Sequence, residues 1–201
     1  MRTVTRLYDN HTDAVQVVND LEAAGIPHSD ISIVANNRGD RYSPVAADTG
    51  TGAGTGATAG GILGGGVGLL AGIGLLAIPG VGPVVAAGWL VATLAGVGVG
   101  AVAGAATGGL VGSLTHAGVP ENEANVYAEG VRRGGSLVTV RGADADVARA
   151  EAIMAARSPA DWSERDRAYR ASGWDRFDPA APVYTPTQAE VERDRVRMSG
   201  L

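Results

Sequence analysis

Three observations predict an α+β fold for this chain. Residues 1–48 and 119–157 alternate between period-two and period-3.6 apolar patterns, the signatures of strand and amphipathic helix. Between them, residues 49–120 contain no Asp, Glu, Lys or Arg and hold 23 of the 31 glycines. From residue 158 the composition turns polar yet keeps five of the nine aromatic residues. The predicted organisation is a first half-domain (1–48), a glycine-zipper α-helical hairpin (49–118), a second half-domain (119–157), and an extended and helical aromatic-containing tail (158–201).

The elements follow in order. "RTVTRLY" is β-branched and alternates, so it reads as a strand. "NHTDAVQVVNDLEAAG" places Ala14, Val17, Val18 and Leu21 on one helical face; Asn10 or Thr12 caps its start, and Gly25 and Pro27 stop it. "DISIVA" is a second strand and "NNRGDRYSP" a polar loop. In the second half, "VPENEANVYAEGVRRGG" reads as a helix. Pro120 sits in its first turn, Glu121 and Glu123 near the positive end of the dipole, and Arg132 and Arg133 near the negative end. "SLVTVRG" is a strand, and "DADVARAEAIMAA" is a helix with Val147, Ala150, Ile153 and Met154 facing inward. Neither half supplies more than two strands. The halves are therefore expected to meet in one small three-stranded sheet covered by helices, a ferredoxin-like economy.

"IPGVGP" punctuates the charge-free segment, with Pro79, Gly80, Gly82 and Pro83 as the predicted hairpin turn between two antiparallel helices. In the first arm Gly52, Gly56, Gly60, Gly64, Gly68 and Gly72 fall every fourth residue. In the second, Gly96, Gly100, Gly104, Gly108 and Gly112 repeat the spacing. Residues four apart share a helical face, so each row is a smooth strip along which another backbone packs closely. Bulky residues such as Ile62, Leu63, Leu69 and Leu70 then point elsewhere and need cover, from lipid or from sister hairpins. The arm from Gly52 to Ala77 would be about 39 Å long as a helix, against about 30 Å for a bilayer core. Its leucines concentrate toward the turn, which suits a hairpin inserted tip-first, with Trp89 at an interface.

In the tail, Trp162, Trp174 and Phe177 are the expected anchors, docking on a neighbouring subunit. "TPTQAEVERDRVR" carries a capping box, with Thr185 as N-cap and Gln188 three residues on.

The strand-helix-strand opening, the turn "AIPGVGPVVAAG" and the block "GVPENEANVYAEGVRRGGSLVTV" together resemble the bacterial general stress protein 17M-like (heat-induced stress protein) family. The layout is also similar to uncharacterised membrane proteins with a glycine-rich hairpin. The resemblance covers residues 1–155 and implies a stress-associated, non-enzymatic protein with no catalytic residues to carry over.

Composition narrows the chemistry. The net charge of −5 speaks against a nucleic-acid partner held by phosphate neutralisation. All sixteen basic residues are arginine, which removes Schiff-base and P-loop lysine chemistry, and no cysteine is present. His11, His28 and His116 lack ligand spacing, so no metal is expected. The G-x-G-x-x-A spacings at Gly54, Gly66, Gly96 and Gly98 lack the acid about twenty residues on that a dinucleotide site needs, so no cofactor is expected. Ser136 and Ser158 are expected to have no nearby histidine partner. Three functions remain: a structural protein self-assembling through glycine zippers in or on the bacterial inner membrane; a cytoplasmic homo-oligomer with its hairpins bundled in a common apolar core; and a small-ligand sensor or pore. The partners expected are a second copy and a lipid bilayer.

Overall fold

The computed structural model describes residues 1–37, 74–90, 93 and 109–199. Strand β1 (Arg2–Tyr8) leads into α1 (His11–Ala23), a 3-10 turn (His28–Asp30) and β2 (Ile31–Asn36). Strands β3 (Gly74–Ile78) and β4 (Gly82–Gly88) come next, then α2 (Gly109–His116), α3 (Glu121–Arg132), β5 (Ser136–Gly142) and α4 (Asp144–Ala155). The tail adds α5 (Trp162–Ala171) and α6 (Pro186–Ser199).

The five strands form one sheet in the order β1-β5-β2-β4-β3, every neighbouring pair antiparallel. The two half-domains do meet: β5 lies between β1 and β2, pairing Leu137 with Leu7 and Val138 with Ile33. β1 and β2, joined by α1, are thus parallel but not adjacent. The expected three strands do pair, but among the described residues the sheet has five, because the charge-free segment contributes β3 and β4.

That is the main correction to the sequence reading. Pro79 and Gly80 do make a tight turn, but the turn joins strands, not helices. The Val81 N–H donates to the Ile78 carbonyl at 3.0 Å, and Gly80 adopts φ 76°. Proline second and a positive-φ glycine third is the residue pattern of a type II turn. Gly82 continues at φ 93°, and Pro83 turns its carbonyl toward β2, accepting from the Asn37 N–H at 2.9 Å. The strands on either side of the turn are five and seven residues long. Val84, Val85, Ala86 and Ala87 are all buried, so β4 has an apolar side chain on both faces of the sheet.

Helices cover both faces. On one, Val17, Val18 and Leu21 of α1 and Val147, Ala150 and Met154 of α4 pack on Val4, Ile33, Val138 and Val140. On the other, α2, α3 and the tail pack over Leu7, Val34, Val84, Ala86 and Leu137. Adjacent Leu137 and Val138 of β5 serve opposite faces, as the strand period of two requires. The α1 face matches the expected one, although Asn10 holds the N-cap position without a side-chain cap bond and instead donates to Asp13. Ile153 of α4 is only half-buried.

The tail also departs from expectation, because it docks on its own domain. The Ala160 N–H donates to the Leu7 carbonyl at 2.8 Å, forming a single antiparallel bridge on the outer edge of β1. Beyond it, Phe177 is buried in the core cluster that contains Ile78, Val81 and Val84. Trp89 likewise belongs to the domain: its indole N–H donates to the Asp30 carbonyl at 3.2 Å, and the Arg141 guanidinium lies 4.7 Å from its ring.

Candidate functional site

The densest polar cluster among the described residues sits where the C-terminal end of α3 meets the tail. α3 is enclosed from Val126 to Val131, by the sheet, by α2 and by α5. A helix closed in all round has no wet face for its polar residues, so Glu129, with none of its surface exposed, must find partners inside. It has two. Its carboxylate accepts from Arg133 Nε at 2.7 Å and from Arg132 Nη1 at 3.0 Å. Arg133 donates further to Glu192 of α6 at 2.5 Å and sits over the Tyr169 ring of α5, its guanidinium carbon 4.1 Å from the ring centroid. Arg132 reaches the Pro182 carbonyl at 3.2 Å and stacks on Tyr184 at 4.9 Å. Beside them, Arg165 of α5 is 2% exposed and holds Asp9 through Nη2 at 2.7 and 2.8 Å.

The backbone makes room for this cluster. At Gly130 a Cβ would lie 2.3 Å from Leu7 Cδ2, so any larger residue there would force the Leu7 side chain to shift. Gly134, at φ 105°, then turns the chain out of the helix toward β5. Arg132, Arg133 and Arg165 face Glu129, Glu192 and Asp9, and Arg195 also reaches Glu192 at 3.3 Å. Burial works against the charge of Arg133, but Glu129 and Glu192 outweigh it and hold its pKa above the usual arginine value. Burial pushes the Tyr169 hydroxyl well above its ordinary value, so it stays protonated. The cleft between Asp9, Arg133, Arg165 and Tyr169 has room for about one water, far less than the several hundred Å³ of a ligand pocket. Paired charges in so small a space hold the segments that carry them together.

Sequence reasoning missed this site. The dipole reading of Arg132 and Arg133 leaves out Glu129, which lies three and four residues before them, a spacing that signals an ion pair. The predicted tail anchors lie around the cluster. Trp162 is half-buried against the core, and Trp174 meets Tyr169 edge-on at 5.6 Å. Phe177 is the deepest of the three. The capping box forms as expected: the Gln188 N–H donates to Thr185 Oγ1, and the Thr185 N–H donates to Gln188 Oε1.

The first-arm glycines Gly52, Gly56, Gly60, Gly64, Gly68 and Gly72, and Gly96, Gly100, Gly104 and Gly108 of the second, lie outside the described residues. Gly112 falls within α2. Among the described residues no cluster of three or more metal-ligating side chains forms. One histidine-serine contact escaped the sequence reading: His11 Nδ1 lies 3.5 Å from Ser136 Oγ. Ser136 is 1% exposed at the start of β5, and burial lowers the His11 pKa below its ordinary value.

Residues 3–78 match the family model described as the heat induced stress protein YflT domain. The general stress protein resemblance therefore holds over β1, α1, β2 and β3. The match ends at the last residue of β3, before the turn and the "GVPENEA" block. No curated protein and no solved structure matches the chain.

Proposed function

We propose, from that family match, that this chain is a stress-associated, non-enzymatic structural protein whose α+β body carries glycine rows through which copies self-assemble. The observation behind the assembly reading is the unbroken four-residue spacing from Gly52 to Gly72 and from Gly96 to Gly112. Small residues at that spacing let backbones approach closely, and the bulky residues between them need cover from water. A second copy supplies both the facing strip and the cover. The split β1–α1–β2 unit, with β5 between its strands, supports a ferredoxin-like reading of the body. The non-enzymatic reading draws on the charge-paired, water-sized cleft.

Of the two settings for assembly, a shared apolar core between copies has the better support. Tip-first insertion into a bilayer needs the Pro79–Pro83 turn to lead. That turn instead closes the β3–β4 hairpin of the sheet, with Val81 fully buried. No helix among the described residues is long and apolar enough to cross a membrane.

The test is the native mass of Gly64→Leu and Gly104→Leu beside the parent in one buffer. Smaller species are expected from both; unchanged assembly in both overturns the zipper. Flotation with lipid vesicles of the parent decides the setting, with the protein expected to stay at the bottom of the gradient. For the stress association, the protein level is expected to rise after a heat challenge, and a level unmoved by heat, salt and ethanol would contradict it.

A further inference from the structure

We infer that the tail segment 158–185 is a clamp on the β3–β4 hairpin, so that docking of the tail and seating of the Pro79–Gly80 turn are one coupled event. The inference stands apart from the self-assembly reading and rests on how three parts of the chain interlock.

The first part is the turn itself. At Gly80 a Cβ would fall 2.7 Å from Pro179 Cα, 2.8 Å from the Asp178 carbonyl oxygen and 3.0 Å from Phe177 Cζ. Two of those three atoms are backbone, so the turn sits against the tail's main chain as well as against the Phe177 ring. The second part is apolar. Phe177 lies in the same buried cluster as Ile78, Val81 and Val84, so tail and hairpin each complete the other's cover. The third part ties the tail to elements other than the hairpin. The Phe177 N–H donates to Asn125 Oδ1 of α3 at 3.2 Å, Arg132 of α3 holds the Pro182 carbonyl, and Arg165 holds Asp9 beside β1.

The tail therefore spans from the body to the hairpin tip. It leaves α4 through Ser158, which at φ 48° is the one described non-glycine residue with positive φ, a conformation that costs a side chain some strain. β3 and β4 are also the strands through which the charge-free segment joins the sheet. A clamp on their turn decides how firmly that segment is held against the domain.

Hydrogen exchange of the full chain, read by mass spectrometry, tests the clamp with two variants. Phe177→Ala removes the anchor that touches the turn. Trp174→Ala loosens the tail where it packs on Tyr169 of α5. Both are expected to speed exchange in 162–177 and in 78–88 together, by about tenfold or more, while β1 and β5 keep their protection. Two results overturn the inference. In one, exchange speeds in 162–177 while 78–88 stays as protected as in the parent. In the other, β5 loses protection in step with the hairpin in both variants, which makes the tail a part of the global core and no separate clamp.

Discussion

Glu129 shows how much of this fold turns on single side chains. It has no exposed surface, and its charge is compensated by Arg132 and Arg133. Removing one partner of a buried pair costs about 3–5 kcal/mol, because the other charge stays behind without compensation. Arg133 keeps Glu192, so Glu129→Ala is expected to lower unfolding stability by about 3 kcal/mol, the low end of that range, in urea titration, with a smaller loss for Glu129→Gln, which keeps a carbonyl acceptor. A cost below about 1 kcal/mol would mean that the pair is no stronger than a surface salt bridge. His11 gives a pH test. Burial lowers its pKa, so the unfolded chain takes up the proton first. Stability then falls as pH drops below the ordinary histidine value of about 6.5, and levels off below the folded-state pKa. His11→Gln is expected to flatten the dependence of melting temperature on pH between about 7.5 and 5.5; a slope equal to the parent's would assign it to other groups. At this scale the sequence was legible where one helix face decided, as with Val17 and Leu21. It was illegible where the partner came from the tail, as Glu192 does for Arg133.

Among the elements, α1, α3, α4, β1, β2 and β5 carry clear periods, and each forms where its pattern places it. β3 and β4 do not, for a physical reason. A short apolar run bounded by turn residues fits a buried strand and a buried helix equally, and the glycine periodicity on either side favours the helix. The informative signals were local: the Pro79–Gly80 pair and the β-branched Val84 and Val85 beside it. The hairpin makes its own prediction. Gly80→Ala puts a side chain at φ 76° and presses a Cβ on the backbone of Asp178 and Pro179. Strain and overpacking together are expected to cost about 2–4 kcal/mol. Thermal melts that place Gly80→Ala within about 0.5 kcal/mol of the parent would contradict the interlocked turn.

At the scale of the whole molecule, the charge-free segment divides into parts with different roles. Residues 74–90 build two strands, and Leu110, Leu114 and Val119 enter the core under α3. Replacing all of 49–120 with a short linker strips these from the body, so that variant is expected to be molten by near-UV circular dichroism. Excising 49–72 alone leaves them in place. β2 and β3 run parallel with β4 between them, so the connection must cross the sheet. Residues 38–48 with Ile73 still span about 40 Å when extended, enough for a crossing of about 20 Å. That variant removes one complete glycine row and keeps every described element.

Sedimentation of the 49–72 excision beside the full chain tests the central claim most directly. The body is expected to stay folded, with the parent's near-UV spectrum, while its mass falls to that of a monomer as the full chain remains a larger assembly. A folded excision variant that sediments with the same number of copies as the parent would show that the glycine row does not hold the copies together.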